Sequence, residues 1–238
     1  MPSRTLTFQD KLLPVQPEFR RAFTGTDEEH VRAMYEMIVR CCGLRDPEIE
    51  FTLETAPLHP IADLGSSPAT LRLLQLLAAI SGARRVLEIG TFIGVSAMSI
   101  AQALPADGTV TTVEKFDQFA SIARRNFAAN GLDGRISLIV GDAFAVLATL
   151  DKSAFDMIFL DGNKERYAEY FTALDPHLRS GGLFVTDDVF FHGDALNSVP
   201  TGEKGMGTRQ FLELMAGRND YLRLVLPISN GIFVARKR

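Results

Sequence analysis

Four side chains in the second half of the chain have the types and spacing for chemistry: Asp161 and Lys164 in "IFLDGNKERY", and the adjacent Asp187 and Asp188 in "GGLFVTDDVFFHG". Both segments begin as apolar runs that read as buried strands. A buried carboxylate is costly unless something pairs with it. Three carboxylates gathered at two strand ends repel one another. A hard divalent cation with oxygen ligands, Mg²⁺ foremost, is the simplest compensation. A strand-end Asp taken singly is more often a turn or cap residue. Three of them, with a lysine three positions after the first, favour a metal site.

A second set of residues precedes the acids. In "EIGTFIGVSA", Gly90 and Gly94 follow an apolar run, but Phe92 and Val95 stand where a dinucleotide fingerprint needs glycine. A pyrophosphate is therefore not expected there. A glycine turn still lets a small ligand lie against the backbone, and the helix start behind it favours a carboxylate. Ser96 offers a hydroxyl donor. Such glycines equally serve packing alone, and both readings stand. Glu114 ends "GTVTTVE", 24 residues after Gly90; a carboxylate there suits a ribose diol. Asp142 and Ala143 follow "RISLIVG", where an acid either accepts from an exocyclic amine or caps a helix. Glycine turn, ribose acid and third-strand acid, in that order, form the layout of an S-adenosylmethionine site.

The elements that must position these residues alternate. From Gly82 onward, "RRVLEIG", "GTVTTVE", "RISLIVG", "FDMIFLD" and "GGLFVTDD" read as strands, with helical stretches at about 94–104 and 117–130 and helix candidates after the later strands. This predicts a parallel sheet wrapped by helices, whose ligands bind beyond the carboxyl ends of the strands. "YLRLVLPISNGIFVARKR" reads as an antiparallel hairpin at the sheet edge, broken by Pro227 and Ser229-Asn230-Gly231. The later helix candidates follow "RISLIVG" and "FDMIFLD" only; upstream, Ser67 and Pro68 start a helix running to about Ile80. Residues 1–25 are irregular. A capping box at Thr26 and Glu29 opens a helix with Val31, Met34, Tyr35, Ile38, Cys41 and Cys42 on one face. The chain thus divides into a helical extension, 1–65, and a main domain, 66–238.

Composition agrees with a globular chain of 238 residues, 46% hydrophobic and 23% charged, with net charge −4. The start lacks the apolar core of a secretory signal, no eighteen apolar residues run together, and no membrane association is expected. Adjacent Cys41 and Cys42 make no disulfide framework; they are expected to pack on a helix face in a reducing cytoplasm. The first sixty residues carry seven basic and ten acidic side chains, unlike a nucleic-acid arm. From Glu203 onward seven basic residues face three acidic ones, a mild preference for an anionic partner.

"LEIGTFIGVSA", "ALPADGTVTTVE", "NFAANGL", "LDGNKERYAEYF" and "GGLFVTDDVFFHG" together resemble the cation-dependent O-methyltransferases of the catechol and caffeoyl-CoA type, over about residues 66–238. The resemblance implies a Rossmann-like, mostly parallel seven-stranded sheet with a C-terminal antiparallel hairpin. It implies S-adenosylmethionine contacts at Ser66, Glu88, Gly90, Thr91, Ser96, Glu114, Asp142, Ala143, Asp161 and Asn163, with Ser96 on the methionine carboxylate. Asp161, Asp187 and Asp188 fall on its metal triad and Lys164 on its general base. His192 falls where a cofactor or substrate contact is expected; with Phe190 and Phe191 it would wall the acceptor pocket. The implied reaction is Mg²⁺-dependent methylation of a hydroxyl on a small catechol-like or phenolic acceptor, of the kind found in secondary metabolism, by a cytoplasmic homodimer. Two alternatives accompany it: methylation of a hydroxylated uridine in transfer RNA, and S-adenosylmethionine binding without catalysis. Two positions depart from the family. Asp188 stands where Asn is common, and Asn230 where an acid usually precedes the glycine.

Overall fold

A computed structural model describes Cys41 and residues 66–238. The capping box at Thr26, Cys42 and the rest of the expected extension lie outside the described residues. Cys41 is helical but exposed, not packed inward as its apolar spacing suggested.

Helix α1 (Pro68–Ser81) starts as its sequence dictates: the Ser67 hydroxyl accepts the Thr70 N–H at 3.2 Å. It stops at Gly82, which turns left-handed at φ 64° and donates to the Ala78 and Ala79 carbonyls. Then follow β1 (Arg85–Ile89), α2 (Val95–Ala103), β2 (Thr109–Glu114), α3 (Asp117–Ala129), β3 (Ile136–Val140) and the short α4 (Ala143–Leu147). β4 (Phe155–Leu160) leads through a 3-10 turn, Lys164–Arg166, into α5 (Tyr167–Leu174), β5 (Leu178–Thr186) and α6 (Glu203–Ala216). The hairpin β6 (Tyr221–Leu226) and β7 (Ile232–Lys237) closes the chain.

The seven strands lie in the order β3-β2-β1-β4-β5-β7-β6. β1 to β5 are parallel; β7 runs antiparallel between β5 and the edge strand β6. Strand order reverses between β1 and β4, so the loops after these two strands diverge and leave a crevice. Gly90 to Gly94 flank it on one side and Asp161 to Lys164 on the other.

Alternation along the buried strands feeds two cores. Leu87, Ile158 and Leu160 pack on one face of the sheet with Tyr167, Phe171, Phe184 and Phe211. Val86, Met157 and Phe159 pack on the other with Leu74, Ile100 and Phe127. Helix α6 is the element that hydrophobic patterning did not anticipate, because Gly205 and Gly207 lower its intrinsic propensity. Both glycines are buried. A Cβ at position 207 would collide with the Lys164 and Glu165 carbonyls, and one at 205 with the Asp194 carboxylate. The helix forms because its glycines let it press against the turn that carries Lys164.

Candidate active site

The crevice holds a cavity of about 430 Å³, within the range for small-ligand sites. Ser66, Gly90, Thr91, Ser96, Glu114, Asp142, Ala143, Asp161, Asn163 and Lys164 all line it. Of the cofactor contacts predicted from the sequence, Glu88 does not. It lies beneath the wall with no exposed surface. Its Oε2 accepts from the Thr112 hydroxyl at 2.5 Å, Thr112 meets the Thr91 hydroxyl at 2.5 Å, and Oε1 is buried without a partner. Burial pushes the Glu88 carboxyl up to about 7, against hydrogen bonds from Ser96 and Thr112. Glu88 therefore supports the cavity wall and does not form its surface.

The two glycines of the turn are placed differently. Gly90, at φ 100°, lines the cavity, and its missing Cβ makes room for the Asp161 carbonyl. Gly94, at φ 92°, is a packing device against the Phe127 ring. The loop between them is tied down from α3, whose Asn126 side chain donates to the Ile93 carbonyl at 2.8 Å. Glu114 fastens two loops at its end of the cavity. Its oxygens accept Phe92 N–H at 2.8 Å and Phe116 N–H at 2.9 Å, which leaves each oxygen a further lone pair for a ligand. Asp142 is the N-cap of α4, accepting Phe144 N–H at 3.0 Å, and is also a wall residue. Asn163 caps the 3-10 turn through Glu165 N–H at 3.3 Å.

At the other end two of the three expected acids, Asp161 and Asp188, converge on a lysine. Lys164 Nζ donates to Asp161 Oδ1 at 2.9 Å and pairs with Asp188 Oδ2 at 3.0 Å. Asp187 is buried beside them; its Oδ1 accepts the Asp188 N–H at 2.8 Å, and the Tyr167 hydroxyl donates to its carbonyl at 3.1 Å. Burial, then the negative neighbours Asp161 and Asp188, push Asp187 up to about 8. Burial likewise raises Asp161, against the pull of Lys164 and a hydrogen bond from Ser66. Burial alone would lower the Lys164 pKa, but the phenol of Tyr167 and the carboxylates of Asp161 and Asp188 outweigh it and raise the group. Among the described residues no three His, Cys, Asp or Glu side chains are arranged around one ion position. The Lys164 ammonium occupies the point on which Asp161 and Asp188 converge.

The segment after β5 is strained. Asp188, Phe191 and His192 have φ of 58°, 40° and 51°, a left-handed region that non-glycine residues seldom adopt. Phe191 and His192, expected at the acceptor wall, lie outside the cavity lining. Phe92, Lys115, Phe116, Phe119 and Tyr170 are among the lining residues that the sequence analysis did not name as contacts. Only Phe116 gave a signal: an aromatic residue stands where the start of α3 calls for a capping side chain.

Comparison with known proteins agrees with this geometry. Residues 48–238 match the family described as O-methyltransferase. A catechol O-methyltransferase of Niastella koreensis is 36% identical over 156 residues, 64% of this chain and 70% of that protein. The O-methyltransferase TomG of Streptomyces achromogenes, solved with SAM, is 33% identical with TM-score 0.75, covering 81% of this chain and 90% of that one. An O-methyltransferase from Bacillus cereus, solved with SAH, is 28% identical with TM-score 0.80, covering 87% and 97%. The chain belongs to the O-methyltransferase family of the catechol and caffeoyl-CoA type, and it is an S-adenosylmethionine-dependent O-methyltransferase.

Proposed function

We propose that this enzyme methylates a hydroxyl of a small catechol-like or phenolic acceptor and that it uses a divalent cation to do so. The observation that carries the reading is the convergence of Asp161 and Asp188 on one positive charge, with Asp187 buried beside them, where the S-adenosylmethionine cleft ends. The donor set fits a hard cation: all three side chains offer carboxylate oxygen, and the ammonium of Lys164 marks where positive charge is favoured. Asp161, Asp187 and Asp188 would hold the ion, which when bound favours the oxyanion of a phenol whose free pKa is about 10.

The chain's own residues do the rest. Ser66, Gly90, Thr91, Ser96, Glu114, Asp142, Ala143 and Asn163 bind and orient the cofactor, so that much of the rate gain comes from positioning. Lys164 is the proton acceptor. Without a cation its two ion pairs keep it protonated; with Asp161 and Asp188 taken over by a cation, its affinity for the proton falls and it is free for this role. Phe190, Phe191 and His192 lie on the strained segment next to Asp188 and wall the acceptor in this reading.

Labelled S-adenosylmethionine, Mg²⁺ and a panel of catechols give the test. Transfer should occur, stop on chelation and return with added Mg²⁺. Full transfer in excess chelator removes the cation from the reading, and transfer to no catechol removes the acceptor class. Transfer RNA is not favoured as acceptor, because Arg209, Arg218 and Lys237, of the seven C-terminal basic residues, are engaged within the protein. Arg218 pairs with Asp175 and Asp220, Lys237 pairs with Asp175, and Arg209 donates to the Ala195 and Asn197 carbonyls. Among the described residues no helix is long and apolar enough to cross a membrane.

A further inference from the structure

Phe116 breaks a local rule at the mouth of the cleft. It is the N-cap residue of α3, a position where Ser, Thr, Asp or Asn normally satisfies a free backbone N–H. Its side chain makes no capping hydrogen bond, and it is 54% exposed although large and apolar. It also lines the cavity. A helix that gives up its cap for an exposed aromatic ring loses stability twice, and such violations concentrate where a residue serves a ligand.

The surroundings say which part of the ligand. Phe116 N–H is bound to one oxygen of Glu114 and Phe92 N–H to the other, at 2.9 and 2.8 Å. The same carboxylate therefore sets both backbones. The Phe92 ring meets Phe119 edge-on at 4.9 Å, and Phe119 meets Phe116 edge-on at 6.0 Å. All three aromatic residues line the cavity. Phe92 holds its place at φ 50°, a strained backbone for a bulky side chain. The result is an aromatic lip on the side of the cleft where Glu114 has lone pairs left for a ribose.

We infer that Phe116 is a cofactor-binding residue whose ring covers the nucleoside half of S-adenosylmethionine, with Phe119 and Phe92 as its support. This rests on the reading of the cleft as the S-adenosylmethionine site. Aromatic contact with a nucleobase is worth roughly 1–3 kcal/mol by alanine substitution, so loss of the ring should weaken binding about tenfold.

The deciding variant is Phe116→Asn, because asparagine restores the cap while removing the ring. Calorimetric titration with S-adenosylhomocysteine should show about a tenfold higher Kd. The melting temperature of the ligand-free protein should stay level or rise, which a merely structural role for Phe116 does not allow. Phe116→Tyr should bind as wild type does. Wild-type affinity in Phe116→Asn, or a lowered melting temperature that accompanies the loss, overturns the inference. Failure of the wild-type protein to bind S-adenosylhomocysteine overturns the reading of the cleft itself.

Discussion

At the Glu114 end of the cleft the acids are tied to the backbone: Glu114 takes the N–H groups of Phe92 and Phe116, and Asp142 caps α4 through Phe144 N–H. At the other end Asp161 and Asp188 share one lysine, and Asp187 leans on the backbone N–H of its own neighbour. The first arrangement satisfies its charges with dipoles that cannot move away. The second leaves more negative charge than the lysine beside it neutralises, in a partly dry setting where charge interactions are strong. Binding is thus preorganised where the cofactor's neutral half would lie. Electrostatic tension is concentrated where an acceptor would react. Asp161 belongs to both ends, since it lines the cavity and holds Lys164.

That double membership makes Asp161→Asn the most damaging test. Methyl transfer should fall about a hundredfold or more, because the change removes a cation ligand and the partner that positions the Lys164 proton acceptor. The S-adenosylhomocysteine Kd from calorimetry should change much less. An equal loss in rate and binding would show that the two ends work as one.

Gly207→Ala probes the acid end from outside it. The added methyl meets the Lys164 and Glu165 carbonyls and must push the turn or the helix away. Turnover should fall about tenfold through displaced groups, with cofactor affinity unchanged. In a free helix the same change gains about 1 kcal/mol, so a lower melting temperature separates the steric effect from propensity.

The smallest effect concerns Glu88. Its folded pKa is raised to about 7 from 4.5, so the folded protein holds that proton more tightly than the unfolded chain. The contribution is fully present below about pH 4.5, is lost as pH rises through 7, and levels off above it. Melting of the cofactor-free protein between pH 5 and 8 should show a decline on the order of 1 kcal/mol, because relaxation around a newly charged group absorbs part of the effect. Glu88→Gln should flatten that slope. An unchanged slope would assign the decline to the acid end, where Asp187 is raised in the same sense.

The legible parts of the site were those whose signal is local. Glu114, Asp142, Asp161, Asp187 and Asp188 each close or follow an apolar run, and strand ends in a parallel sheet share one edge. Ser67, Pro68 and Gly82 bounded α1 because caps and left-handed stops are written in single residues. Helix α6 was not legible, since Gly205 and Gly207 argue against it until the carbonyls and carboxylate they accommodate are in view. Nor was the place of Glu88, two residues before the cavity-lining Gly90 yet wholly buried and outside the lining.

By itself the sequence determined the alternating strands and helices, the edge at which the acids collect, and the resemblance that implies methyl transfer. These follow from periodicity and residue type. Only the tertiary structure decided that Lys164 stands between Asp161 and Asp188, that Glu114 splices two loops, and that Phe116 exchanges a helix cap for a place in the cleft. Each depends on groups that are distant in the chain or on directions of side chains, which folding sets and spacing does not record.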